Sequence, residues 1–278
     1  AEKTILLGCF PVMFPKYDFS RFKGILSFED IKTSWEPLDR MQNNIVIIGE
    51  GCTGSCLYCS IRKVVGKIKS RPIEAIHADL KKTWQQHKVA ILSSDETGAW
   101  GIDQGQDISV LLDSIYMLSK NFRDKSIWLD STDPRWFMKN TEVITRGIRQ
   151  GDISNISLTV QSFSKKVLKE MSRVVDYDLN QFICYIKQLI SDGYQNQIEI
   201  TVLVFYPTET EDDFQETYNT LLELKEASIN AFAFFRTHSS DAPLPDLSHE
   251  VILGRKQMVD NLRCNNNKVG CKVCSSKP

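Results

Sequence analysis

Short apolar runs alternate with longer amphipathic segments from residue 44 to residue 235, and this alternation restricts the fold more than any other feature of the chain. The runs at 44–49, 89–93, 126–130, 156–160, 198–204 and 231–235 have the length and apolar content of buried parallel strands. The segments between them carry helical spacing. After Pro72, which suits a first turn, Ile73, Ile76, Leu80 and Trp84 fall on one face. Helices are likewise expected over 107–120, over 141–149, as a pair within 165–192 closed by Gly193, and over 211–227. Strands separated by helices imply a parallel sheet with right-handed crossovers. The expected fold class is α/β, a partial (β/α)6 TIM-type barrel of six units rather than eight, whose chemistry sits on the loops after the strand C-termini.

The 278 residues accommodate one barrel-sized domain with appendages. We place an N-terminal extension at 1–40, the core at 41–250 and a Cys-rich tail at 251–278. A composition of 42% hydrophobic and 25% charged residues excludes wholesale disorder. The net charge of −1 offers no global attraction to a polyanion, so any nucleic-acid contact falls to a local patch. Arg62, Lys63, Lys67, Lys69 and Arg71 form such a run, which could hold a phosphate backbone or an acidic peptide, although a solvated loop is the commoner explanation. No apolar stretch approaches the roughly 20 residues that span a bilayer, and the first residues lack a basic leader and a cleavage site. No membrane association and a cytoplasmic location are expected.

Eight cysteines, at 9, 52, 56, 59, 184, 264, 271 and 274, are too clustered for a disulfide framework and point to metal ligation in a reducing compartment. Cys52, Cys56 and Cys59, spaced C-x3-C-x2-C, sit on the loop directly after the first strand. Three thiolates can hold three irons of a cubane and leave the fourth iron open for chemistry. The competing readings are a zinc site, which wants a fourth ligand nearby although the nearest histidine is His77, and a metal-free loop. Cys264, Cys271 and Cys274, spaced C-x6-C-x2-C, read as a second metal site, a zinc knuckle or a redox-active tail. Cys184, within FICYIKQLI, reads as a core thiol.

C-x3-C-x2-C with an aromatic, Tyr58, before its last cysteine resembles the signature of radical S-adenosylmethionine (SAM) enzymes. The surrounding motifs are similar to those of one branch, the radical SAM methylthiotransferases. Glu50-Gly51-Cys52 through Ser70-Arg71-Pro72 resembles that family's cluster loop and its exit. Ser94-Asp95-Glu96-Thr97-Gly98-Ala99-Trp100-Gly101 resembles its Asp-Thr-Gly-Ala-Tyr-Gly loop after the second strand. Val160-Gln161-Ser162 with Met171-Ser172-Arg173 resembles its Val-Gln-Ser strand end and Met-x-Arg segment. Pro207-Thr208-Glu209-Thr210-Glu211-Asp212-Asp213-Phe214 resembles its Pro-Gly-Glu-Thr-Glu-x-Asp-Phe turn. Val65 and Thr208 depart from the pattern, standing where the family has arginine and glycine.

The resemblance implies a 4Fe-4S cluster on Cys52, Cys56 and Cys59, with SAM on the open iron and reductive cleavage to a 5′-deoxyadenosyl radical. The cofactor does the hard chemistry while the protein positions it. Contacts to the cofactor are implied at Tyr58, Glu96, Thr97, Gly98, Ser131, Gln161 and Arg173, the arginine forking onto a carboxylate. Against these stand a surface loop held by Gly98 and Gly101, an exposed Arg173 on a solvated helix, and Asp133 as a turn former before Pro134. The implied reaction inserts sulfur or methylthio at an unactivated C–H carbon with the help of a second iron–sulfur cluster. Its candidate ligands are the tail cysteines Cys264, Cys271 and Cys274, joined by Cys9, since Leu6-Leu7-Gly8-Cys9-Phe10 resembles a ligand-bearing strand end of the family. The family's C-terminal RNA-binding β-barrel has no counterpart in the sequence, which favours a peptide or protein substrate and leaves tRNA possible. An electron donor such as flavodoxin or ferredoxin is implied as a partner. The alternatives are a radical SAM peptide-modifying enzyme without sulfur transfer and a non-catalytic iron–sulfur or zinc binding protein.

Overall fold

A computed structural model of the chain describes residues 5–7, 24–26, 44–234, 241–243 and 248–266. Its centre is an all-parallel six-stranded sheet: β1 (Ile45–Ile47), β2 (Val89–Ser93), β3 (Ser126–Thr132), β4 (Ile153–Gln161), β5 (Ile198–Val204) and β6 (Ser228–Ala233). The strands stand side by side in chain order, so each crossover steps to the next strand. That sequential order is the partial barrel expected from the alternation. One row of the register runs Val46, Leu92, Leu129, Ile156, Ile198, and all five side chains are buried. Burying each stabilises the fold by about 1.5–3 kcal/mol relative to leaving it exposed.

Eight helices are used below: α1 (Ile73–Gln86), α2 (Ile108–Ser119), α3 (Pro134–Lys139), α4 (Thr141–Gln150), α5 (Lys165–Glu170), α6 (Leu179–Leu189), α7 (Glu211–Glu223) and α8 (His249–Asn266). In α1 the buried face is Ile76, Leu80 and Trp84, as their spacing predicts. Side-chain caps fix several starts: Asp107 accepts from Ser109 N–H ahead of α2, Ser164 from Val167 N–H ahead of α5, and Thr210 and Asp213 form a reciprocal capping box on α7.

Four features differ from the sequence reading. Helix α3 follows Asp133-Pro134, a pair that serves a helix start as well as a turn: Asp133 accepts from Arg135 N–H and Pro134 occupies the first turn. The last strand spans Ser228–Ala233, against the expected 231–235, because it pairs with β5 from Ser228 onward while the apolar residue Phe234 packs beyond the ladder. Helix α8 runs through the expected 250/251 boundary and packs on the core through Val259 and Leu262. Cys184 is exposed and not a core thiol: the buried stripe of α6 is Leu179, Phe182, Ile186 and Leu189, and residue 184 falls off that stripe.

At the C-terminal ends of three successive strands the backbone turns left-handed at non-glycine residues: Ser131 (φ 48°) in β3, Gln161 (φ 73°) in β4 and Phe205 (φ 71°) after β5. The β3–β4 and β4–β5 ladders shift register at those points, between Leu129 and Thr132 and between Thr159 and Gln161. Bulges at barrel rims re-aim side chains, and strained backbone concentrates at functional sites.

Candidate cofactor site

The cysteine loop leaves β1 through Gly49–Glu50, which pairs antiparallel with Lys69–Ser70 and so closes the loop at its base. Gly51, at φ 91°, has no room for a side chain, because a Cβ there would lie 2.1 Å from the Lys67 carbonyl oxygen. Its N–H donates to Asp95 at 2.8 Å, and Cys52 N–H donates to the Gly66 carbonyl at 3.1 Å. Farther along, Leu57 N–H donates to the Met171 carbonyl at 2.9 Å and Ser55 Oγ to the Ser172 carbonyl at 2.9 Å. The Leu57 carbonyl accepts from Asp241 N–H at 3.0 Å and Ala242 N–H at 3.1 Å, and the Asp241 carboxylate takes Lys63 at 2.8 Å and Arg62.

Cys52, Cys56 and Cys59 are half-buried on this loop, and Gly54 leaves space beside two of their sulfurs. A Cβ on Gly54 would stand 3.2 Å from Cys52 Sγ and 3.7 Å from Cys56 Sγ, while the real Gly54 N–H donates to Cys52 Sγ at 3.2 Å. Among the described residues no three His, Cys, Asp or Glu side chains converge tightly enough for a single ion. A cubane takes one thiolate on each of three irons, and this open triad with a backbone N–H on one sulfur suits it. Burial, reinforced by the negative charge of Glu96, pushes the Cys52 thiol up to about 12. A bound metal centre, if Cys52 ligates one, would supply the positive charge that holds it as thiolate.

Two buried ion pairs flank the triad. Glu96 accepts from Thr53 N–H at 2.7 Å and Thr53 Oγ at 2.9 Å on one oxygen, and from Trp136 Nε1 at 2.9 Å and Arg135 on the other. Burial would raise this carboxyl, but those donors outweigh it and hold Glu96 below the usual carboxylate range. On the other side, Arg173 donates to Tyr58 Oη at 3.0 Å and to Cys56 Sγ at 3.9 Å, and pairs with Asp133 at 2.8 Å. Burial keeps Asp133 above its ordinary value even though Arg173 and Arg135 pull it down. The Tyr58 phenol is raised by burial, the Arg173 charge lowering it only in part.

The fold thus gathers most of the sequence candidates at one end of the sheet, with differing surroundings. Tyr58 lies on the cysteine loop, Glu96 and Arg173 abut it, and Arg173 is buried after α5 rather than exposed on a helix. Thr97 is buried and its hydroxyl accepts from Ser94 N–H at 3.2 Å. Gly98 lies against Trp136 so closely that a Cβ would meet that residue's Cβ at 2.4 Å. Ser131 and Gln161 are half-buried at the two left-handed strand ends. Ser162 instead faces α7, where its hydroxyl meets Thr217 Oγ at 3.1 Å. Of the second cysteine group, Cys264 falls in α8, while Cys9, Cys271 and Cys274 lie outside the described residues. Sequence reasoning missed Arg135 and Trp136, whose only signal was their place just after a strand C-terminus.

Residues 46–221 match the family model of the radical SAM superfamily. The chain is 26% identical to the probable threonylcarbamoyladenosine tRNA methylthiotransferase of Methanothermobacter thermautotrophicus over 79% of this chain and 51% of that protein. It is 31% identical to the ribosomal protein uS12 methylthiotransferase RimO of Clostridioides difficile over 75% of this chain and 47% of that one. The chain spans about half the length of these relatives. Among solved structures, coproporphyrinogen III oxidase (HemN) from Escherichia coli superposes with TM-score 0.54 at 15% identity, over 84% of this chain and 57% of that one. The radical SAM methyltransferase TsrM from Kitasatospora setae superposes with TM-score 0.57 at 11% identity, over 68% and 36%. The family implies a 4Fe-4S cluster and SAM as cofactors, and the open cysteine triad fits the first of these. With the matching region running from β1 into α7 and the triad on the loop after β1, the chain belongs to the radical SAM superfamily.

Proposed function

We propose that this protein is a methylthiotransferase of the superfamily, inserting sulfur or methylthio at an unactivated C–H carbon of a peptide or protein. The observation that carries the reading is that the sequence motifs shared with methylthiotransferases meet at one end of the sheet: the cysteine loop, the Ser94–Gly101 loop, the β4 end, the Met171–Arg173 segment and the turn at 207–214. Relatives named as tRNA and ribosomal-protein methylthiotransferases support it. Cys52, Cys56 and Cys59 would hold the cluster. When bound, the cluster and SAM supply the one-electron chemistry that removes a substrate hydrogen. Ser131 and Gln161, re-aimed by their bulges, are the side chains we place toward the cofactor or substrate. Buried Thr97 and Gly98 shape the wall behind them.

A protein or peptide substrate is favoured over tRNA by charge. Of the five cations in the 62–71 run, Arg62 and Lys63 pair with Asp241, Lys69 with Glu50 and Arg71 with Asp79, which leaves little positive field for a phosphate backbone. We place a second iron–sulfur cluster on Cys264, Cys271 and Cys274 with Cys9, and an electron donor of the flavodoxin or ferredoxin type as partner. Iron and acid-labile sulfide per chain, measured after anaerobic reconstitution of wild type and of Cys264→Ala/Cys271→Ala/Cys274→Ala, test this. About eight irons falling to about four support two cubanes and sulfur transfer. About four in both proteins, together with 5′-deoxyadenosine formation but no product heavier by a methylthio group, would move the assignment to peptide modification without sulfur transfer.

A further inference from the structure

The six strands of the sheet contain no lysine, arginine or histidine and two acidic residues, Asp130 and Glu199. Both fall on the same face. Strands in chain order joined by crossovers of one hand place their connecting helices together on one side of the sheet. Buried Leu92, Leu129, Ile156 and Ile198 point to that side, so the residues that alternate with them face the concave side of the partial barrel. One register step beyond Leu92, Leu129 and Ile156 stand Ser93, Asp130 and Ser157; Ser157 is opposite Glu199, and Glu199 opposite Ser228. A polar row thus crosses the inner face from β2 to β6. Ser93 Oγ donates to Asp130 at 2.9 Å, and Trp128, one inward position before Asp130, donates through Nε1 to Ser157 Oγ at 2.9 Å. Glu199 is half-buried and, among the described residues, has no cationic or hydrogen-bonding side-chain partner.

The mouth of this face is built differently. Thr159, the next inward residue of β4, takes Arg173 on its hydroxyl at 3.3 Å, and the same guanidinium reaches Tyr58 on the cysteine loop. Arg173 carries its own counter-ion, Asp133 at 2.8 Å, so the row below keeps its negative charge. Leu203 and Phe232, opposite each other on β5 and β6, give the mouth an apolar wall, and Phe232 is 59% exposed. Strands are depleted in Asp and Glu, and a partly desolvated charge without a counter-charge is disfavoured, so packing does not account for two such carboxylates on one face. They complement a long side chain with an apolar stem and a cationic head, which the face of Trp128 would also attract. Thr159 and Ser157 are two residues apart, about 6.6 Å of strand, which is within the reach of an extended lysine or arginine side chain. We propose that Asp130 and Glu199 select a positively charged substrate group, the side chain of a lysine or arginine in a peptide, with the peptide backbone at the level of Thr159 beside the cysteine loop. The inference rests on the reading that the substrate is a peptide or protein and is independent of whether sulfur is transferred to it.

The test uses the full chain with its reconstituted cluster and a set of acetylated, amidated pentapeptides in which glycines flank a central lysine, arginine, norleucine or glutamate. Ligand-observed NMR measures their dissociation constants. A contact between opposite unit charges, even fully hydrated, is worth about fivefold in affinity, so the lysine and arginine peptides are expected to bind at least about fivefold more tightly than the norleucine peptide, and the glutamate peptide more weakly than it. Asp130→Asn and Glu199→Gln keep side-chain size and break no ion pair, so folding is retained. Each is expected to lose part of the preference and the two together all of it, with norleucine binding and the SAM dissociation constant unchanged. Glu199→Lys is expected to turn the preference toward glutamate. Equal binding of the lysine and norleucine peptides, including no binding of either at millimolar concentration, would overturn the proposal, as would a preference that survives in Asp130→Asn/Glu199→Gln. A loss of SAM affinity in that double variant would assign the carboxylates to the cofactor instead. Product analysis keeps this apart from the reaction: a methylthio product formed equally well on peptides with and without a basic residue would retain sulfur transfer and sink the selection. Charge-selective binding with 5′-deoxyadenosine but no methylthio product would do the reverse.

Discussion

Arg255, on the last described helix, reaches into the turn after β5 and closes on Glu209 at 3.0 Å, with both side chains almost wholly buried. The guanidinium also lies over the Phe214 ring at 4.9 Å and pairs with exposed Glu211 at 2.9 Å, while Glu209 accepts from the N–H of left-handed Phe205 at 3.0 Å. One buried carboxylate thus ties α8 to a strand end on the cofactor side of the sheet.

This pair gives a pH-dependent stability. Burial raises Glu209 to about 7, the Phe205 N–H and Arg255 only partly offsetting it. Because the folded value lies above the unfolded one, the native state holds a proton that the unfolded state has lost between about pH 4.5 and 7. The stability from this group is complete below about pH 4.5 and disappears as pH rises through about 7. Glu209→Gln should therefore flatten that part of the urea-unfolding profile. Arg255→Ala should cost about 3 kcal/mol at pH 8, where it strands a buried charge, and clearly less at pH 5, where Glu209 is neutral. Equal costs at the two pH values would refute the assignment.

Gly98→Ala should destabilise the fold by about 1–3 kcal/mol, since the new methyl meets Trp136 Cβ at 2.4 Å and neither backbone can retreat freely. Thermal unfolding measures the cost. Trp136→Phe in the same background tests the coupling, because the Trp136–Glu96 bond is already strained by the methyl in the single variant.

Gly54→Ala separates loading from folding. The added carbon enters the hollow between Cys52 and Cys56 and meets their sulfurs at 3.2 and 3.7 Å, far from the hydrophobic core. Iron per chain after reconstitution should drop by at least about half, with the circular dichroism and melting temperature of the metal-free protein unchanged. Normal iron content would show that the hollow is not where the cluster sits.

Thr210→Ala removes the capping box at the start of α7, where the hydroxyl donates to Asp213 at 2.6 Å and accepts from Asp213 N–H. A loss of about 1 kcal/mol in urea unfolding is expected, without change in cluster content.

The strands, the main helices and the cysteine loop were legible in the sequence because hydrophobic spacing and metal-ligand spacing are local properties. Ile76, Leu80 and Trp84 needed only a helical period to be placed. What could not be read locally was which charges meet. Glu96 and Arg135 are 39 positions apart, and Arg173 lies 40 beyond Asp133, so their pairing exists only once β2, β3 and β4 are side by side. Helix α3 was lost for a different reason: Asp-Pro opens a turn and a helix with the same chemistry, and only the burial of Trp136 and Phe137 decides between them. The exposure of Cys184 is not legible locally because its immediate neighbours Ile183 and Tyr185 are compatible with a core helix, while the phase of the buried stripe is set by Phe182 and Ile186.

The two N–H groups of Asp241 and Ala242 converge on the Leu57 carbonyl, between two of the cysteines. Among the described residues β1 and β6 carry no ladder between them, and this fork, with the Asp241 ion pairs beside it, joins the loop that follows β1 to residues that come after β6 in the chain. Whatever orders the cysteine loop therefore also acts on Asp241 and Ala242. On the proposed assignment of the cluster to that loop, metal loading would be thermodynamically linked to the contacts that Asp241 and Ala242 make with it, each favouring the other.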